Sequence, residues 1–312
     1  VHALQFRLLG KFAVYYNHTA LDSFNVQKVQ ELLCYLLVHR DRPHHREVLA
    51  ELLWNNANTP YSKKYLRKTL WQLQTALRSV PSAPSYKLLI IDPHWIQISK
   101  DALYWLDVST IEDQFTSVRG KPGRALEPPE FDDLQQAVKV YKGDLLEGWF
   151  QDWCVYYRVR LREMFLDIVD KLLEYCEVNN LFDLGIEFGN IILGYDRARE
   201  RTHQRIMRLY YTAGYRSAAL QQYKICQQAL REELEVKPSE RTKKLYEQIM
   251  SDNLGPWDDL EVTNTGSNGD PFSGQLHKRL RRVEKLVRAQ SMLQQRLDRE
   301  IREIKSELET HL

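Results

Sequence analysis

Apolar and polar residues alternate with period two through residues 1–26. LQFRLLG and KFAVYYN read as two short strands joined near Gly10-Lys11, and a turn at Asn17-His18 leads to a third strand over 19–24. At residue 27 the period becomes helical. Val29, Leu32, Leu33, Leu36 and Leu37 make a broad stripe over 27–39, and the run Arg40 to Pro43 ends it. His44-His45-Arg46-Glu47 opens a shorter helix whose inner face is Leu49, Leu52 and Leu53. A turn cluster at 55–60 feeds a third helix over 61–79, where Leu66, Leu70, Leu73 and Leu77 share one stripe. After the loop at 81–84, residues 86–91 and 95–98 read as a hairpin around Asp92-Pro93-His94.

The third helix, YSKKYLRKTLWQLQTALRS, contains no acidic residue. Its off-stripe positions are cationic or hydrogen-bonding. Taken alone, such a face suits a solvated surface helix. Its neighbours change the reading. Small sheet, helix, helix, basic helix and hairpin, in that order, describe a winged helix, whose last helix enters the major groove while the hairpin lies along the backbone. Arg46, Lys63, Lys64, Lys68 and Arg78 are then the candidates for phosphate contacts, and Arg67, Trp71, Gln74 and Thr75 the candidates for base edges.

Residues 116–130, TSVRGKPGRALEPPE, read as a Gly/Pro-rich linker. The pattern from there to about residue 250 is helical. Ile206, Tyr210, Gly214, Ala219 and Tyr223 have tetratricopeptide spacing, and Leu172, Cys176, Asn180, Gly185 and Gly189 form a weaker copy. Tyr210, Tyr223, His203 and Met207 read as core of these helix pairs, and a ligand pocket in their concave face is the alternative. A Gly/Asn/Ser/Asp-rich linker covers 253–274, with Trp257 and Leu260 as its anchors. In 275–312 a 4-3 seam runs through Leu276, Leu280, Val283, Val287, Gln290, Gln294, Leu297, Ile301, Ile304 and Leu308. The reading is a self-associating coiled coil with polar layers at Gln290 and Gln294; a docked single helix and a basic arm are its alternatives. The expected fold is therefore an α+β winged-helix DNA-binding domain at 1–115, an all-α TPR-like helical domain at 131–252 and a C-terminal coiled-coil helix at 275–312.

Composition narrows this little. A net charge of +2 over 312 residues excludes a uniformly basic coating protein, so any nucleic-acid site must be a local patch. The four cysteines, Cys34, Cys154, Cys176 and Cys226, form no CxxC pair and read as buried reduced thiols in a cytoplasmic setting. No apolar run reaches bilayer-spanning length, so no membrane contact is expected. No phosphate-binding glycine loop, HExxH or GxSxG is present, so no catalytic residue, metal ligand or cofactor is expected. His44-His45 are adjacent and cannot share one helix face for a metal. They read as a loop or helix start.

Here a family resemblance becomes specific. LQFRLLGKFAV, VQELLCYLLVHRDRP, HREVLAELLW, YLRKTLWQLQTAL and DALYWLDVSTIEDQF resemble, in sequence and spacing, the OmpR-like winged helix of the SARP-type bacterial activators. YKGDLLEGWFQDW, the long run from YDRARERTHQRIM to EVKPS, and LYEQI resemble the bacterial transcriptional activator domain (BTAD) that accompanies it. The resemblance implies a transcriptional activator that binds double-stranded promoter DNA, often as tandem direct repeats, and recruits RNA polymerase. A homo-oligomer through the C-terminal helix is expected from the heptads, to which the resemblance does not extend. The chain departs from the family at Leu73-Gln74, where a Leu-Arg pair is usual, at Trp71, where a smaller residue is usual, and at Asp92-Pro93-His94, where glycine is frequent. The competing reading is an interaction scaffold of repeats and coiled coil whose winged helix no longer binds DNA.

Overall fold

The computed structural model describes residues 4–54, 59–80 and 88–254. The predicted coiled-coil seam, residues 255–274 of the predicted linker, and residues 1–3, 55–58 and 81–87 lie outside the described residues. The chain forms two compact units, Val1–Asp113 with Val140–Trp149, and Gln114–Lys139 with Phe150–Leu312.

In the first unit, β1 (Leu4–Arg7) pairs antiparallel with β2 (Ala13–Tyr16), which pairs with β3 (Thr19–Ala20). Leu4 and Phe6 point into the core while Arg7 faces out, with its guanidinium 4.6 Å from the centroid of the Tyr15 ring. Asn17 and His18 both have positive φ, which lets two residues turn the β2–β3 hairpin. The expected third strand over 19–24 stops at Ala20. Asp22 and Ser23 enter a 3-10 helix, Asp22–Phe24, that delivers Phe24 to the core. A fourth strand, absent from the sequence reading, lies parallel to β1 on its other side (Trp105–Leu106).

Three helices follow the sheet: α1 (Gln27–Val38), α2 (Arg46–Leu53) and α3 (Thr59–Arg78). His44-His45, read as a loop or helix start, form the short strand β4 (His44–His45), and His45 is also the N-cap from which α2 begins at Arg46. The hairpin β5 (Leu89–Ile91) and β6 (Trp95–Ile98) completes a second sheet in the order β4-β6-β5. With the hairpin numbered so, the parallel partner of β1 is β7. It leads into α4 (Asp107–Ser117), whose first residue clamps β1. The Asp107 carboxylate accepts N–H groups of Leu8 and Leu9, each at 2.7 Å, and of Val108 at 2.8 Å. Burial pushes this carboxyl up to about 6, against the pull of those N–H groups.

Residues 140–149 were expected within the helical domain, but they pair with the first unit. Leu9 bridges Leu145, the Leu146 N–H donates to Leu8 O at 2.8 Å, and the Gly10 N–H donates to Asp144 O at 2.8 Å. Gly10 has φ +95°, a conformation that side chains resist, and Leu145 and Leu146 are fully buried.

The second unit is helical: α5 (Pro128–Val140), α6 (Asp152–Val178), α7 (Phe182–Tyr195), α8 (Glu200–Thr212), α9 (Arg216–Leu234) and α10 (Glu240–Met250). The expected linker at 116–130 is mostly structured. It holds the end of α4, a 3-10 turn at Gly123–Ala125 and the start of α5. Gly123 N–H donates to Glu174 at 2.7 Å, Lys171 Nζ donates to Lys121 O at 2.6 Å, and Lys121 pairs with Glu130 at 2.6 Å. Composition could not show this, because the partners are supplied by α6, some fifty positions away in sequence.

The repeat positions serve close packing. A β-carbon at Gly189 would sit 2.6 Å from Ile206 Cγ1, and one at Gly185 would sit 2.9 Å from Leu209. Ala219 and Met207 are fully buried, and Tyr210 and Tyr223 pack around them. All four cysteines are buried free thiols, and burial pushes Cys176 and Cys226 up to about 12. No described helix is long and apolar enough to cross a membrane.

Candidate nucleic-acid interface

Helix α3 is 20 residues long and divides cleanly by face. Leu66, Leu70, Leu73 and Ala76 are buried, and Leu77 is only half-buried. Lys64, Arg67, Lys68, Trp71, Thr75 and Arg78 are exposed, and Lys63 and Gln74 are partly so. At 3.6 residues per turn the exposed six occupy one continuous arc. Of the nine residues predicted to contact DNA, all except Arg46 lie on this helix, and the structure turns none of them into the core.

Arg46 is placed beside the arc by the hairpin. Its N–H donates to His94 O at 2.9 Å, and its guanidinium donates to Asp92 O at 3.3 Å. Strand β4 reinforces the join, because His44 pairs with Ile96 and His45 with Trp95. The hairpin turn is thereby fixed against the first turn of α2, where His45 is the N-cap. A cleft of about 310 Å³ opens between these parts, lined by His45, Arg46, Lys63, Arg67 and His94 among others. Arg67 faces this cleft and donates from Nε to Lys63 O at 3.4 Å, so it shares a wall with Arg46. A helix start, two guanidinium groups and two imidazoles around one cleft favour an anion, although the Glu47 carboxylate also lines it and is matched by Lys63.

Two features on this face escaped the sequence reading. Glu47, from the helix before, pairs with Lys63 at 2.5 Å, and that hydrogen bond holds its carboxyl below the usual range. Lys63 thus reaches the surface with its charge largely matched. Tyr61 and Tyr65 also stand exposed on α3, one turn apart, with the Tyr65 ring 6.1 Å from Trp54. Helical spacing from Lys68 could have found both tyrosines. Glu47 could not be found from α3 alone.

Beneath the hairpin lies a buried imidazole pair. His39 Nδ1 donates to Tyr35 O at 2.8 Å, and His44 Nε2 donates to His39 O at 3.0 Å. Burial lowers both, His39 to about 4. Among the described residues no group of His, Cys, Asp and Glu could hold a metal ion.

A small sheet, three helices and a hairpin, with the basic arc outward on the third helix, define a winged helix, and helix pairs with glycine and alanine at their contacts follow it. Residues 106–250 match the family model of the bacterial transcriptional activator domain. That match covers just under half of the chain and supports the resemblance to SARP/BTAD-type activators. Among solved structures the chain is similar to Mycobacterium tuberculosis EmbR, determined in complex with a low affinity phosphopeptide, with a TM-score of 0.58 and 18% identity. That likeness is one of fold. It covers 81% of this chain and 66% of the EmbR chain, so this chain spans just under two thirds of that length. A search of curated proteins finds no match.

Proposed function

We propose that the first unit binds duplex promoter DNA, with α3 in the major groove and the β5–β6 hairpin along the backbone. In this reading the chain activates transcription at the promoters it binds. The observation that carries it is the outward arc of α3, which is cationic, free of acidic residues along the helix, and framed by Arg46 and the hairpin turn. Lys64, Lys68, Arg78 and Arg46 engage phosphates, with Lys63 as a weaker contributor. Arg67, Trp71, Gln74 and Thr75 face the bases, Arg67 from the side nearest the hairpin. Recruitment of RNA polymerase and binding to tandem repeats are what the resemblance to SARP/BTAD-type activators implies. Self-association through 275–312 follows from the heptads.

The test begins with selection of bound duplexes from a random pool, followed by the Arg67→Ala/Lys68→Ala double variant. Wild-type affinity for the selected duplex should fall steeply with salt, and the double variant should lose about fivefold or more, roughly 1–3 kcal/mol, with its circular dichroism unchanged. Undiminished binding would favour the scaffold reading, in which repeats and coiled coil carry the function. Deleting 275–312 should lower the mass seen in light scattering; an unchanged mass removes the self-association.

A further inference from the structure

The basic arc of α3 is apolar at its centre. Trp71 is 65% exposed, more than any other large hydrophobic residue described in the first unit. The leucines that fill the core occupy the opposite face, so no rotation of the helix about its axis buries Trp71 without exposing Leu70 and Leu73. Arg67 and Lys68 lie one turn before it, Thr75 one turn after and Arg78 two turns after. Cations therefore flank it at both ends of the arc. Thr75 continues the apolar centre. Its hydroxyl donates to Trp71 O at 2.9 Å, so its proton is spent on the helix backbone. What Thr75 can offer outward is a methyl group and an acceptor oxygen.

An indole has one N–H donor and no acceptor, so it cannot make the two-point hydrogen bonds by which arginine reads guanine or glutamine reads adenine. What it brings is apolar area. In the major groove the one apolar feature of a base edge is the C5-methyl group of thymine. We propose that Trp71, assisted by Thr75, reads a thymine methyl, so that the duplex this protein selects carries a T·A pair facing the middle of α3. The inference rests on the DNA-binding reading above and deepens it. The flanking cations hold the backbone on either side, and the apolar centre chooses the base.

The experiment uses the full chain and the duplex that it selects. Each thymine is replaced in turn by deoxyuridine, which removes only the methyl group, and affinity is read by fluorescence anisotropy for wild type, Trp71→Ala and Trp71→Phe. One position should weaken wild type about fourfold, the worth of one buried methyl. The same replacement should leave Trp71→Ala unchanged and should weaken Trp71→Phe in part. A selected site with no thymine in its core overturns the inference, as does a flat deoxyuridine scan, or a loss of equal size in Trp71→Ala. These results differ from failure of the DNA reading itself. In that case no duplex is enriched, or the Arg67→Ala/Lys68→Ala variant binds the selected duplex as wild type does, and the role of Trp71 falls with it.

Discussion

Helices α3 and α8 are both rich in cations, and the fold sends those cations in opposite directions. On α3, Lys64, Arg67, Lys68 and Arg78 are exposed. On α8, Arg205 and Arg208 are buried together with His203 and Gln204. The difference lies in the carboxylates that each helix meets. Arg205 receives a two-point grip from Glu177, at 2.6 and 2.8 Å, and a further contact from Asp170 at 2.9 Å, both acids coming from α6. Burial alone would lower the basicity of Arg205, but Asp170 and Glu177 outweigh it, so the guanidinium stays charged in the core. Among the described residues one carboxylate, Glu47, reaches α3. A basic helix is thus a structural strut where a neighbouring helix supplies acids, and keeps its cations facing outward where it does not.

The comparison breaks most severely at Arg205. Arg205→Ala leaves Glu177 without its counter-charge and Asp170 with only the longer contact of Arg199 at 3.5 Å, and should cost the second unit about 3–5 kcal/mol of stability. Urea denaturation followed on that unit's peptides is the check. Affinity for the selected duplex under native conditions should change little. A loss of less than about 1 kcal/mol would mean that water replaces the guanidinium, and that α8 is less enclosed than its burial indicates.

Acid separates the buried histidines of the two units by a smaller margin. His39 in the first unit is held near 4 by burial, with His44 and Arg42 adding repulsion, although its bond to Tyr35 O pulls the other way. The unfolded imidazole takes up its proton near 6.5, so stability that is full above that pH is lost as pH falls from about 6.5 to about 4. The loss should be roughly 2–3 kcal/mol. Asp107 in the same unit works against it: burial raises its carboxyl to about 6, so the folded state takes up that proton before the unfolded chain does and gains stability as pH falls from about 6 toward the ordinary 3.8. His203 in the second unit is also lowered by burial, but its bond to Arg197 O, with Glu200 and Asp196, partly restores it, so its own acid-linked loss should be smaller than that of His39. Between pH 7 and 4, pulse labelling of the first unit's peptides should show His39→Gln losing about 2–3 kcal/mol less than wild type. If wild type and His39→Gln weaken in parallel, the buried imidazole is not what acid attacks.

Much of this was legible in the sequence because periodicity reports burial. The stripe Leu66, Leu70, Leu73 predicted the inner face of α3, and the residues off that stripe predicted which side chains face outward. The unread parts depend on residues far apart along the chain. Nothing local to YKGDLLEGW says that Leu145 will bridge Leu9. Nothing local to α8 says that Arg205 will point at Glu177 rather than at water. His44-His45 look like a helix start until Trp95 and Ile96 offer a strand to pair with. The matched charge on Lys63 belongs to the same group, since its partner sits on the helix before.

Glu47 gives the finest distinction within the α3 face. If Lys63 is largely neutralised by Glu47, it releases few counterions when the duplex binds. Glu47→Gln frees that ammonium and removes a negative charge from the cleft shared with Arg46 and Arg67. The salt dependence of affinity should steepen by about one unit of log–log slope, and affinity at low salt should rise. Lys68→Ala should do the reverse, making the slope shallower by about one unit, because Lys68 is exposed and is among the proposed phosphate contacts. Lys63→Ala should fall between the two and change the slope least. Anisotropy titrations of these three variants over a range of salt concentrations measure all of this. Equal slopes for Lys63→Ala and Lys68→Ala would show that DNA pulls Lys63 away from Glu47 on binding, and the pair at 2.5 Å would then belong to the free protein alone.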